Sequence, residues 1–211
     1  MADCVIFCAG EFDRLLCPIE NALVIAADGG LRHTQALGIA PDVVLGDFDS
    51  LGYVPQNATV FPVEKDDTDA MLAVRHGLAR NCRDFLIYGG LEGKRLDHTV
   101  ANLQTLQFLA DRGAKGWLIG KDQVVTVVRN GGLSFLPGAN GILSLFCMGA
   151  DARGVTLEGF QYPLTDGDLS AGFPLGVSNH FTGAPGRISV REGSLLVILS
   201  REDYPYCEDR L

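Results

Sequence analysis

The sequence predicts an α/β N-terminal domain with a mainly parallel sheet, followed by an all-β, sandwich-like C-terminal domain. Two observations predict it. Up to about residue 120, short apolar runs alternate with stretches of helical period, the pattern of strand-helix-strand units. Beyond Lys121 the helical period is lost, and short β-rich runs follow between clusters of Gly, Pro, Asn and Asp. The change falls between residues 120 and 135, around or just before Asn130-Gly131-Gly132, and sets the domains at 1–125 and 126–211.

In the first domain, strands are expected at residues 5–9, 23–27, 43–46, 85–88 and 117–119. Between them, residues 68–80 place Met71, Leu72, Val74 and Leu78 at helical spacing, with Asp67 available as N-cap. A second helix is expected at 96–109, where Leu96, Val100, Leu103, Leu106 and Phe108 or Leu109 recur and Gly113 marks the end. In the second domain the strands are expected at 124–128, 142–147, 187–190 and 195–199. No internal repeat is evident.

Composition removes several classes of function. With 17 Lys plus Arg against 26 Asp plus Glu, the 211-residue chain carries a net charge of −9 and has no basic run. That argues against nucleic acid and anionic membranes as partners, since both select clustered positive charge. No apolar run is long enough to span a bilayer, and the N-terminus lacks the pattern of a secretory signal. The six cysteines include no Cys-x-x-Cys pair, so reduced, partly buried thiols in a cytoplasmic protein are expected.

Ligands of parallel sheets bind outside the carboxyl ends of the strands. The residues following each expected strand are Asp28-Gly29-Gly30, Gly46-Asp47-Phe48-Asp49-Ser50, and Gly89-Gly90-Leu91-Glu92-Gly93-Lys94-Arg95-Leu96-Asp97-His98. Glu64-Lys65-Asp66-Asp67-Thr68-Asp69 leads into the first helix. Taken singly, each reads as a turn or a cap. Together they put several carboxylates on one edge, where mutual repulsion calls for a cation and hard oxygen ligands suit Mg²⁺. Glycines beside Lys94 and Arg95 suit a phosphate chain. His98 and Asn102 share one helical face near the same loop, whereas His33, His76 and His180 have no partners at ligand spacing. A Walker loop is excluded, because Tyr88 stands where its first glycine belongs and Arg95 where a hydroxyl is needed. The dinucleotide fingerprint also fails, since Ala9-Gly10-Glu11-Phe12-Asp13 lacks the later glycines. The residues thus point to a metal–nucleotide site.

The ordered set Asp28-Gly29-Gly30, Gly46-Asp47-Phe48-Asp49-Ser50, Lys65-Asp66-Asp67-Thr68-Asp69 and Gly89-Gly90 through Gly93-Lys94-Arg95-Leu96-Asp97-His98 to Asn102 resembles the bacterial thiamine pyrophosphokinases. The resemblance continues into Leu175-Gly176-Val177-Ser178-Asn179. It implies a homodimer and a Mg²⁺-dependent transfer of the terminal pyrophosphoryl unit of ATP to thiamine, releasing AMP. By matching position it implies Asp47, Asp49 and Asp69 as metal ligands. Asp28, Gly29, Gly30, Ser50, Thr68, Gly89, Gly90, Gly93, Lys94, Arg95, His98 and Asn102 become the ATP site, with Asp97, Asp69 and Arg95 in catalytic roles and Asp97 as the candidate base. Ser178, Asn179 and Tyr162 fall on the thiamine side, although His180 stands where the bacterial pattern often has Glu, and Tyr162 where some relatives carry Trp. The expected pocket is composite, with Mg·ATP on the first domain and thiamine on the second, the halves drawn from different subunits of the dimer. Two rivals remain: a metal-dependent phosphohydrolase, and a thiamine- or nucleotide-binding regulatory protein without turnover.

Overall fold

The structure, a computed structural model, describes residues 2–62 and 66–209. The chain passes from one compact unit to a second between Lys121 and Asp122. The Asn130-Gly131-Gly132 turn therefore lies inside the second unit, and a cut at 125/126 would divide a strand.

In the first unit the strands are β1 (Cys4–Phe7), β2 (Leu23–Ala27), β3 (Val43–Gly46), β4 (Thr59–Val60), β5 (Asp84–Tyr88) and β6 (Lys115–Ile119). They run in the order β6-β5-β1-β2-β3-β4, and each neighbouring pair is parallel. All four residues of β1 are fully buried, as apolar runs covered on both faces of a parallel sheet should be. Among the described residues, three α-helices connect the strands: α1 (Leu31–Ala36), α2 (Asp69–Ala79) and α3 (Leu96–Ala110).

Helix α2 presents Ala70, Ala73, Val74 and Gly77 as its buried face, so small residues rather than Met71, Leu72 and Leu78 set its closest approach. Its N-cap is Thr68, not Asp67: the Thr68 hydroxyl accepts from Met71 N–H at 3.2 Å, while Asp67 pairs with Arg75 at 3.0 Å. In α3 the buried side chains are Asn102, Thr105, Leu106 and Leu109. Leu96 and Val100 are 75% and 48% exposed, contrary to the expected apolar stripe, because the first turns of α3 turn polar residues toward the loop after β5. Gly113, at φ +67°, ends α3 as expected, with Ala114 N–H bonded back to the Leu109 carbonyl.

The second unit contains β7 (Gln123–Arg129), β8 (Gly132–Phe135), β9 (Ile142–Cys147), β10 (Ala152–Glu158), β11 (Leu164–Leu169), β12 (Asn179–His180), β13 (Gly186–Glu192) and β14 (Ser194–Ser200). They form two antiparallel sheets, β12-β9-β14-β7 and β11-β10-β13-β8. The sandwich core includes Phe135, Phe160 and Phe181, with ring centroids 4.9 to 6.4 Å apart in mainly edge-on packing. Among the described residues, no helix is long and apolar enough to cross a membrane.

Candidate active site

Strands β2 and β5 flank β1, so the chain leaves β1 toward one side of the sheet and later returns on the other. The crevice at such a switch point is where open α/β sheets bind ligands. Here the main chain continues past the strand ends: Cys8 N–H bonds to the Tyr88 carbonyl, Gly10 N–H to Gly89 and Glu11 N–H to Glu92, at 2.8, 2.9 and 3.2 Å. The result is a cleft of about 780 Å³, wholly within the first unit. That volume suits a nucleotide-sized ligand.

Asp28, Asp47 and Asp69 meet in this cleft, each bringing one carboxylate oxygen within 4.8 Å of the others. Asp28 follows β2 at φ +47° and is 6% exposed. Its Oδ2 accepts the Ser50 hydroxyl at 2.5 Å, while its buried Oδ1 has no hydrogen-bond donor among the described residues. An orphaned oxygen within a set of three carboxylates fits a small hard cation such as Mg²⁺, which would relieve both the repulsion and the unmet bond. Asp49, expected in the set, is not part of it. Phe48 between the two aspartates takes φ +62° to bury its ring against Ala26, Leu31 and Leu51. The left-handed turn directs Asp49 elsewhere on the cleft wall, with its N–H donating to Asp47 Oδ1 at 3.2 Å.

Gly29 and Gly30 were expected at the nucleotide, yet neither lines the cleft. A Cβ on Gly30 would overlap the Phe7 carbonyl, so this glycine lets the turn after β2 seat against β1 and bring Asp28 to the site. The later glycines Gly89, Gly90 and Gly93 do line the cleft. Gly89 adopts φ +67°. Their loop is held from α3, where Asn102 Nδ2 donates to the Gly90 carbonyl at 2.7 Å and the Thr99 hydroxyl to Leu91 at 3.1 Å. Asn102 is buried yet lines the cleft, and its Nδ2 is committed to the loop.

Lys94, Arg95 and His98 also line the cleft, together with Thr68, Ser50 and Asp49. Thr68 is occupied as the α2 cap and Ser50 by Asp28. Arg95 immediately precedes α3 and grips Asp97 with two parallel bonds, Nε to Oδ1 at 2.9 Å and Nη2 to Oδ2 at 2.6 Å. These bonds hold the Asp97 carboxyl down to about 2 and push the Arg95 guanidinium up. A carboxylate that acidic is a poor proton acceptor, which argues against the expected role of Asp97 as base. Lys65 lies outside the described residues.

In the second unit, Asn179 is 4% exposed and its carboxamide is spent on the fold: Oδ1 accepts from Tyr162 N–H at 3.0 Å and His180 N–H at 2.9 Å, and Nδ2 donates to the Tyr162 carbonyl at 2.8 Å. Asn179 thus fixes the backbone of Tyr162, a residue that is 61% exposed. Ser178 is exposed at φ +58°, with its N–H bonded to the Ser144 hydroxyl.

Cleft residues not assigned to the site from the sequence include Cys8, Gly10, Glu11, Asp67, Glu92 and Thr99. Gly10 carried a signal, as a glycine following the first strand. Its carbonyl is bonded to His33 Nε2 at 2.8 Å, although His33 itself does not line the cleft. Burial, then the charge of Asp69, pushes the Cys8 thiol up to about 12, so it is inert at neutral pH.

Two family models match the chain: "Thiamin pyrophosphokinase, catalytic domain" over residues 18–118, and "Thiamin pyrophosphokinase, vitamin B1 binding domain" over residues 136–195. The thiamine pyrophosphokinase of Bacillus subtilis is 29% identical over 192 residues, 87% of this chain and 89% of the relative. A crystal structure of thiamine pyrophosphokinase from Bacillus subtilis superimposes with a TM-score of 0.80 at 26% identity, covering 93% of this chain and 97% of the other. The enzyme from Geobacillus thermodenitrificans gives 0.76 at 29%, covering 93% and 97%. The two models follow one another in the same order as the α/β unit and the β-sandwich, and with these relatives they show that the chain belongs to the thiamin pyrophosphokinase family.

Proposed function

We propose that this thiamine diphosphokinase binds Mg·ATP in the cleft of its first unit and transfers the terminal pyrophosphoryl group to the hydroxyl of thiamine, releasing AMP. The observation that carries the reading is the meeting of Asp28, Asp47 and Asp69 beside the Gly89–Arg95 loop. These three carboxylates would hold Mg²⁺. A bound Mg²⁺ supplies charge neutralisation to the triphosphate and fixes its oxygens for in-line attack.

The chain's own groups account for the rest of the chemistry. Gly89, Gly90 and Gly93 line the cleft, where their backbone N–H groups would donate to phosphate oxygens, and Lys94 would add a mobile positive charge. Asp97 orients Arg95, taking two of its five N–H donors and leaving three for phosphate oxygens. Phosphoryl-type transfers have loose transition states in which the attacking hydroxyl loses its proton late. Positioning and charge therefore supply most of the rate, and no strong base is required. The second unit is proposed to hold thiamine through Tyr162, whose exposed ring can stack on a cationic heterocycle, and through Ser178. The match of residues 136–195 to the vitamin-binding model supports that division.

The proposal extends to a cytoplasmic homodimer. The exposed Phe173, Leu175 and Val177 of the second unit support self-association, and six free thiols suit a reducing compartment. The net charge of −9 disfavours nucleic acid as a partner.

Phosphorus NMR of the chain with ATP, Mg²⁺ and thiamine should show thiamine diphosphate and AMP forming in equal amounts. ADP as leaving group would mean single phosphoryl transfer and overturn the proposal. ATP hydrolysis indifferent to thiamine would favour a phosphohydrolase, and binding without product a regulatory protein.

A further inference from the structure

We propose that Ser50, held in place by Arg32, is a positioning residue that orients Asp28 for a divalent cation. The inference rests on the cation reading of the carboxylate cluster. Ser50 sits on the exposed loop after Asp49, yet its hydroxyl reaches across to a buried carboxylate and donates to Asp28 Oδ2 at 2.5 Å. A serine hydroxyl has one proton to donate, so while it serves Asp28 it cannot donate to a phosphate. The bond is charge-assisted and anchors one carboxylate oxygen. That leaves Oδ1, which has no other donor among the described residues, for the cation.

Two further features keep the hydroxyl over Asp28. Arg32 Nη2 donates to the Ser50 carbonyl at 2.5 Å, and Arg32 stands one helical turn beyond Asp28 on the segment that opens α1. The segment that supplies the carboxylate therefore also supplies the arm that holds its partner loop, closing a ring from Asp28 to Arg32 to Ser50 and back. Gly29 makes room: a Cβ there would stand 2.7 Å from Ser50 Oγ and 2.9 Å from Ala9 Cβ. This gives Gly29 a role although it does not line the cleft. Groups that orient metal ligands from behind typically contribute about 10- to 100-fold in metal affinity.

The test is Mn²⁺ titration of the full chain without nucleotide, following free Mn²⁺ by electron paramagnetic resonance. Ser50→Ala should weaken Mn²⁺ by roughly tenfold or more, in the range of such supporting groups. Ser50→Thr, which restores the hydroxyl, should restore affinity, and Arg32→Ala should weaken it in the same direction as Ser50→Ala. Ser50→Ala leaves a buried carboxylate oxygen without its donor and should lower the thermal midpoint of the metal-free protein, so every titration is run at a temperature where the variant's circular dichroism matches wild type. Asp28→Asn is the control for the cluster. If Asp28→Asn weakens Mn²⁺ while Ser50→Ala does not, the positioning role is overturned and the cluster stands. If Asp28→Asn binds like wild type, the cluster reading itself fails and the positioning role with it. Failure of Ser50→Thr to recover affinity would assign the loss to loop packing and also overturn the proposal.

Discussion

The carboxamide of Asn179 bonds both backbone polar atoms of Tyr162, at 3.0 and 2.8 Å, across 17 residues of chain. A motif that looks like a pair of ligand contacts in the sequence is, in the fold, one exposed serine and one buried clamp. The two residues joined by the clamp should therefore respond differently to truncation. Asn179→Ala strands the N–H groups of Tyr162 and His180 and should cost about 1–3 kcal/mol in chemical denaturation. Tyr162→Ala removes an exposed ring and should stay within about 0.5 kcal/mol of wild type. Both should raise KM for thiamine and leave ATP affinity unchanged. Equal stability of the two variants would show that the clamp carries no energy, and an equal loss of both ligands in Tyr162→Ala would remove it from thiamine recognition.

The pairing of Arg95 with Asp97 fixes what pH can do at the cleft mouth. The Asp97 carboxyl lies at about 2, below its ordinary value near 3.9, because two guanidinium bonds stabilise the charged form. A depressed carboxyl stabilises the fold above its ordinary pKa, and that contribution is lost as pH falls through about 2. Carbon-13 NMR of the side-chain carboxyl should find a midpoint near 2 in wild type and in the ordinary carboxylate range in Arg95→Gln. Across pH 5–8 Asp97 does not titrate, so Asp97→Asn should lower kcat without moving any limb of the pH–rate profile. Its loss should fall short of the roughly 10²–10⁴-fold effect of removing a general base. A limb that disappears in Asp97→Asn would restore it as the base.

The parallel strands were legible because a strand buried on both faces needs a continuous apolar run, which β1, β2 and β5 supply. The elements not anticipated lack such runs. β4 is two exposed residues, β11 reads Leu-Thr-Asp-Gly-Asp-Leu, and α1 is a six-residue helix opening directly from Asp28-Gly29-Gly30. In β10 the alternation is broken by irregular register with β11, so its period is not that of a regular strand. The site divides in the same way. Residues that follow strands could be found because sheet topology brings strand ends together, which is how Asp28, Asp47 and the Gly89–Arg95 loop were located. The grip of Arg32 on the Ser50 carbonyl and of Asn102 and Thr99 on the glycine loop joins segments distant in sequence, and no local pattern records those contacts. The placement of Asp49 depended on one torsion. Asp47 and Asp49, two apart, would share a face in extended chain, but Phe48 at φ +62° breaks the alternation to bury its ring.

That torsion gives the sharpest functional test, because it separates two aspartates that the sequence makes equivalent. Asp28, Asp47 and Asp69 lie within mutual reach of one small ion, and Asp49 lies outside that group with an exposed side chain. Removing one negative ligand from a three-carboxylate site weakens a hard cation and misplaces the phosphates it aligns. Asp28→Asn, Asp47→Asn and Asp69→Asn should each lower turnover by about 100-fold or more at limiting Mg²⁺, in keeping with the rate supplied by aligned charge. Excess Mg²⁺ should recover part of the loss. Asp49→Asn should lose about tenfold or less, since its carboxylate stands near Arg95 and acts on that guanidinium through charge rather than through the ion. Its Mg²⁺ dependence should match wild type. All four variants should keep wild-type circular dichroism, because each exchange preserves side-chain shape. Measuring kcat against Mg²⁺ concentration for the four side by side decides the matter. An Asp49→Asn variant that needs more Mg²⁺ than Asp28→Asn would exchange the places of these two residues in the metal site.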